Sequence, residues 1–438
     1  MTSRAARFLA AICSCVSLLA FAAPASAAPA SAYQQSGTLP GGALYVVRRD
    51  ESSATAAVEL WFRAPAPGYD LATPGIARLA IAAAAASAGD RGPSLSEAVT
   101  RAGGTLSISV YPDIAMIGAS VPSWDLPNVL RTITASYFMP SISEAGYKVG
   151  LRDCAIAAAE SQYDSVRTLQ DALFARLFSS GAAHFPPIPS STQDYSKISI
   201  EAVRAFASRA FRESNAVVVV AGAVDDGWQN SVRSSGNSRG GADAPIDSTV
   251  SGRGGDVTQG ANVSGLGYAW TGPPISDTRA ATALDFVADY LFDPDHGTLA
   301  AAARSGNTDA FVTGQFITLH NPGVLLVTVG GSGAAAQRAK IADAITALST
   351  PIDGRTFDAA RKAFEYHILS QIQTPQSRAD NFGWYAAEGN ATYAPGDRSG
   401  EYLRAAESLD PGYVAQIVRQ YLQHPAIVEL TPHAGSTS

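Results

Sequence analysis

Apolar positions recur with two distinct periods along this chain, and the periods mark out its elements. From Ala56 to Arg63 they alternate, placing Val58, Leu60 and Phe62 on one face of a strand. Pro65, Pro67 and Gly68 end that run, and the alanine-rich stretch from Gly75 to Ala88 predicts a helix. Thr105 to Val110 and Ala115 to Val121 predict two strands around a turn at Pro112-Asp113. Leu126 to Tyr137 and Ser143 to Phe178 read as helical, and the unbroken apolar run Ala216 to Ala221 reads as a buried strand. The second half repeats the order. A strand over 266–270 is followed by a helix over 278–292, strands over 311–319 and 324–329, a helix over 334–348, and a long helical region from Thr356.

Between the halves, residues 226–264 are rich in Ser, Gly, Asn, Asp and Thr, with Gly240-Gly241 and Gly254-Gly255, and read as a flexible linker. An offset of 209 pairs Trp61 with Trp270, Pro65 with Pro274, and Ser161-Gln162 with Ser370-Gln371, which together with the shared element order suggests an internal duplication. The expected fold class is α+β: two duplicated domains, 33–225 and 265–438, each a mostly antiparallel sheet with helices packed on one face.

Composition adds a destination and removes some chemistry. Arg4 and Arg7, the apolar run Phe8 to Phe21, and the small residues Ala25-Ser26-Ala27 and Ala30-Ser31-Ala32 resemble an export signal, so residues 1–32 are expected to be removed. A bacterial periplasm is the expected location, without a stable membrane anchor. Cys13 and Cys15 fall in the signal. Cys154 remains, so an internal disulfide is excluded, and its alanine-rich setting predicts a buried thiol rather than a nucleophile. The net charge of −7, without a basic stripe, argues against a nucleic-acid partner. No G-x-S-x-G elbow and no phosphate-binding loop is present.

Several segments, taken in order, resemble the family that contains insulin-degrading enzyme, pitrilysin and the mitochondrial processing peptidase. They are Val58-Glu59-Leu60-Trp61-Phe62-Arg63-Ala64 followed by Thr73-Pro74-Gly75; Ala102-Gly103-Gly104-Thr105-Leu106-Ser107 with Val121-Pro122-Ser123; and the run Ser214 to Asp225. The resemblance implies that the two domains form half of a clam-shell chamber around a peptide. In that family the helix after the first strand carries H-x-x-E-H, two imidazoles one turn apart on zinc with a Glu as general base. Here Arg78, Ile81 and Ala82 stand at the three positions, and none can do that work. The six histidines, His184, His296, His320, His367, His424 and His433, include no two that are three to five residues apart. Glu160 lies where the family places its third ligand, although an ordinary helix carboxylate is the plainer reading.

The family's substrate-binding Arg and Tyr, seven residues apart, match Arg378 and Tyr385. Seven residues is nearly two helical turns, so both side chains can share a face, with Arg donating to a peptide carbonyl and Tyr to the developing oxyanion. Asp293-Pro294-Asp295-His296 could bind a metal but reads more simply as a turn ending a helix. The resemblance therefore implies a substrate-positioning, zinc-free subunit of a heterodimeric zinc endopeptidase. Zinc would be in a homologous, motif-bearing partner and none in this chain. The alternative is a catalytically inert peptide-binding or assembly protein of the same fold.

Overall fold

In the computed structural model the described residues are 33–63, 73, 75–89, 92–111, 113–178, 194–234, 255–305, 309–388 and 401–433. The expected export signal, the chain break at Pro65 to Gly68, Pro112 and His184 lie outside them. The first half runs β1 (Tyr33–Thr38), β2 (Leu44–Arg49), β3 (Thr55–Arg63), α1 (Ile76–Ala86), α2 (Leu95–Arg101), β4 (Thr105–Val110), β5 (Ile114–Pro122), α3 (Leu126–Phe138), α4 (Glu144–Ser161), α5 (Ser165–Leu177), α6 (Ile200–Ala210) and β6 (Ala216–Gly222). The second runs β7 (Gly255–Ala261), β8 (Gly265–Thr271), α7 (Thr278–Phe292), α8 (Thr298–Ser305), β9 (Phe311–Ile317), β10 (Val324–Gly330), α9 (Arg338–Ala347), α10 (Gly354–Ser370), α11 (Pro375–Ala387), α12 (Glu401–Glu407), α13 (Pro411–Tyr421) and β11 (Ala426–Pro432).

The first sheet has the order β1-β2-β6-β3-β5-β4 and the second β7-β11-β8-β10-β9. Apart from β1, the two orders correspond strand for strand. In each sheet a single parallel pair, β2 with β6 and β7 with β11, joins an otherwise antiparallel ladder. This is the duplication expected from the sequence, but the tryptophan match is one residue out. Trp61 opposes Met116 on β5 and Val217 on β6, and its counterpart by strand pairing is Ala269, which opposes Leu326 on β10 and Ala426 on β11. A one-residue slip turns a strand residue to the other face, so Trp61 and Trp270 belong to different cores. The Ser161-Gln162 and Ser370-Gln371 match holds: each serine ends a long helix, α4 or α10, and each glutamine caps it.

The helical span expected over 143–178 is two helices. Asp164 starts α5 by accepting a hydrogen bond from the Arg167 amide at 3.1 Å, which breaks the helix between Ser161 and Ser165. Of the linker expected over 226–264, residues 235–254 lie outside the described residues, and the described parts on either side belong to the fold. Trp228 is buried and packs edge-to-face on Tyr45 at 5.3 Å, and β7 supplies the edge strand of the second sheet. Gly, Asp, Thr and Gln in β7 gave no apolar alternation to read, because only Ala261 of its seven residues is buried.

Each sheet has its own domain's helices on one face, where Val58, Leu60 and Phe62 meet α1 and α3, and Leu325 and Val327 meet α7. The opposite faces are covered too, by an exchange. Ala379, Phe382, Ala386 and Ala387 of α11, from the second half, lie on Ala57, Trp61, Val217 and Val219 of the first sheet. Leu169, Leu173, Phe174 and Leu177 of α5, from the first half, lie on Ala269, Val324, Leu326 and Val428 of the second. Glycine admits the close approach in both places. A Cβ on Gly383 of α11 would stand 1.9 Å from Trp61 Nε1, and one on Gly267 of β8 would stand 2.7 Å from a Leu173 methyl.

Candidate functional site

Helix α1 starts at Gly75, whose φ of 82° only glycine adopts without strain. Along it Arg78, Ala82 and Ala86 form a part-exposed stripe, while Leu79, Ile81 and Ala83 are buried. Arg78 and Ala82 thus share the face that two metal-binding imidazoles would need. Ile81, at the position of the general base, points into the core and is fully buried. Helix α4 comes close against α1 because Gly146 and Gly150 face Ala83; a Cβ on either would lie 2.9 Å from its backbone.

Where the two helices diverge, a cavity of about 270 Å³ opens, lined by Arg78, Glu160, Ser161, Asp164, Arg167 and Tyr195. Arg78 and Glu160, placed by resemblance at the first and third zinc-ligand positions, therefore meet in one cavity. Its donors do not fit zinc. It offers carboxylates and a phenol, no imidazole, and two guanidinium groups that oppose a dication. Cys154 lies close by, and burial pushes its thiol up to about 11 against the opposing influence of Arg78, so it stays a protonated thiol as expected.

Arg378 and Tyr385 both lie on α11, which the Thr374 and Ser377 capping pair starts. Arg378 donates to Asp50 Oδ2 at 2.6 Å and to the Ile372 carbonyl at 2.9 Å. That bond to Asp50, assisted by Ser52, holds the Asp50 carboxyl below the usual range. Tyr385 is buried in the second core, its ring 6.3 Å from that of Tyr402. One residue thus ties α11 to the turn after β2 and the other anchors it in the second domain. Helix α11 covers the face of the first sheet opposite α1 and α4, so the sheet separates this pair from the Arg78 and Glu160 cavity.

Two groups of buried carboxyls under α11 escape a periodicity reading. Glu59 sits mid-strand between Val58 and Leu60 and is fully buried. It accepts from Trp61 Nε1 at 2.7 Å and from Gln376 Nε2 at 2.6 Å. Burial, reinforced by the neighbouring Asp380, raises its carboxyl well above the usual range. At the far end of α11, burial and the charge of Asp113 raise Glu388 in the same way. Asp113, from the β4–β5 turn, accepts from the His320 amide at 3.0 Å, and His320 Nδ1 lies 3.2 Å from the Glu388 carbonyl oxygen. A lone Glu in an apolar strand was the one sequence signal available for either group.

A fourth cluster joins Asp289, Asp293, His296 and His367, whose candidate ligand atoms all lie within 4.8 Å of one another. Asp293 to His296 does form the helix-ending turn expected from sequence. His367 arrives from α10, seventy-one residues beyond His296 in the chain, which is why spacing along the sequence could not reveal a histidine pair.

Comparison with protein-family models and with curated proteins finds no match. Solved structures do match, over nearly the whole chain. A protease from Helicobacter pylori has a TM-score of 0.78 at 15% identity, covering 92% of this chain and 100% of its own. A protein from Alicyclobacillus acidocaldarius, assigned as an M16-like peptidase, has 0.73 at 13% identity, covering 92% and 99%. A peptidase M16 inactive domain from Pseudomonas fluorescens has 0.73 at 16% identity, covering 92% and 98%. This chain therefore has the fold of these M16-like structures, two duplicated α+β domains forming one half of a clam-shell.

Proposed function

We propose that this chain is the substrate-positioning subunit, without a catalytic zinc site of its own, of a two-chain metalloendopeptidase exported to the bacterial periplasm, whose catalytic zinc sits in a homologous partner bearing H-x-x-E-H. The observation that supports this reading best is the α1–α4 cavity. It keeps the helix pair and the distal Glu160 but presents Arg78 and Ala82 in place of imidazoles and Ile81 in place of the base. An M16-like fold with such a cavity needs its metal from elsewhere to take part in peptide hydrolysis. Among the described residues no helix is long and apolar enough to cross a membrane.

The test is reconstitution. The chain alone should hydrolyse no peptide, and addition of the motif-bearing homologue should produce activity. In the reconstituted enzyme Arg378→Ala and Tyr385→Phe should lower turnover while the two chains still associate. Full activity in both variants would remove these residues from the substrate site.

The inert peptide-binding reading has its own support. Arg378 is committed to Asp50 and Tyr385 is buried, the state of two residues that hold α11 in place. It predicts peptide binding by the isolated chain, no activity with any partner, and a loss of thermal stability in Arg378→Ala.

A further inference from the structure

The second domain repeats the helix pair of the first, with α7 and α10 standing where α1 and α4 stand. In the first pair the metal-ligand positions have been lost. At the end of the second pair, metal-binding side chains converge. We propose that Asp289, Asp293, His296 and His367 form a binding site for a divalent first-row transition ion, zinc by preference. This goes beyond the two-chain reading and stands or falls without it.

The donor set is two imidazoles and two carboxylates, the kind that tetrahedral zinc accepts. Asp289 and Asp293 are one turn apart at the C-terminal end of α7, and their side chains are only 8% and 9% exposed. His296 Nε2 lies 2.9 Å from Asp289 Oδ2, and His296 Nδ1 lies 2.8 Å from Asp293 Oδ1. His367 Nδ1 lies 2.5 Å from Asp289 Oδ1 and 3.5 Å from Asp293 Oδ2. The histidines are 40% and 28% exposed, so an ion can enter from their side.

The turn is formed in advance. Asp293 Oδ1 accepts from the amides of Asp295 at 2.8 Å and His296 at 3.0 Å, which holds the His296 backbone in place. Gln371 Nε2 stands 3.0 Å from His367 Nε2. A flip of that amide presents its oxygen to an Nε2–H, the outer hydrogen bond that orients an imidazole bound through Nδ1.

Electrostatics also favour a cation here. Asp289, Asp293 and Asp295 gather at the C-terminal end of a fifteen-residue helix, where the macrodipole disfavours negative charge. The nearby Arg304 donates to the carbonyl oxygens of Pro294 and Asp295. With neutral imidazoles, a dication would balance Asp289 and Asp293. The competing account is a set of histidine–aspartate ion pairs with no ion.

Cobalt(II) distinguishes the two. Titrated into the chelator-treated full chain, it should bind at one equivalent with the intense visible ligand-field bands of a tetrahedral site. Zinc should displace it. His367→Ala and Asp289→Asn should each weaken zinc binding by about tenfold or more, whereas Glu160→Gln, in the first-domain cavity, should leave it unchanged. Circular dichroism would show that each variant is folded. The wild-type spectrum stands as a readout should a variant fail to fold. Pale octahedral bands, no saturable binding, or equal zinc affinity in folded His367→Ala would each overturn the proposal.

Discussion

Burial, the charge of Asp113 and a hydrogen bond with it all favour the protonated form of Glu388, and Arg63 opposes them only in part. The consequence is a pH dependence with a definite sign. A carboxyl whose folded value is raised above its ordinary 4.5 contributes stability that is complete below 4.5 and is lost as pH rises through the folded value. Glu388→Gln mimics the protonated side chain. It should therefore match the wild type in denaturant unfolding near pH 4.5 and exceed it by on the order of 1 kcal/mol at pH 8. A variant less stable than wild type at pH 8 would mean that the ionised carboxylate is the form the fold uses, through Arg63. Nothing local in the sequence foretells this environment, since Glu388 follows an ordinary helix and Asp113 lies 275 residues before it. The same holds for His296 and His367. By contrast Arg78 and Glu160 were legible, because the resemblance aligned them to two helices that do pack together.

At the scale of elements, α11 is the piece whose seating decides most. It touches the first sheet through small residues, and Gly383 is the closest point, under the Trp61 indole. That indole cannot easily give way, since it donates to Glu59 and packs edge-on to Trp384 at 6.1 Å. Gly383→Ala should therefore cost about 1–3 kcal/mol despite alanine's better helix propensity, a loss that denaturant unfolding would register. A neutral or stabilising result would mean that α11 can shift outward freely. The elements themselves were mostly readable from period. Where the reading failed, the cause was specific. Asp164 restarts a helix in the middle of a helical pattern, and β7 is an exposed edge strand whose polar residues look like linker. The pairing of Trp61 with Trp270 failed because an offset places a match only to within a residue, whereas facing in a strand changes with each residue.

For the whole molecule, the duplication and the fold class followed from the order of elements, but the exchange of α5 and α11 did not. Both helices look like members of their own halves along the chain, and only pairing in space shows that each serves the other sheet. A fragment limited to residues 33–234 should therefore be unsound although it contains a complete six-stranded sheet. It would expose the face around Ala57, Trp61, Val217 and Val219 and leave the leucines of α5 uncovered. Such a fragment should bind a hydrophobic dye and self-associate in size-exclusion chromatography, and a monomeric, dye-free fragment would contradict the account.

The reciprocal placement of α5 and α11 also governs movement. A hinge between the two halves would have to withdraw a seated helix from each sheet at once, exposing both apolar faces together, so the chain should swing as a single body. In a chamber built from two such chains, opening and closing would then be a matter of how the chains meet each other, and admission of a peptide would be set by the strength of that meeting rather than by any flexing within this subunit.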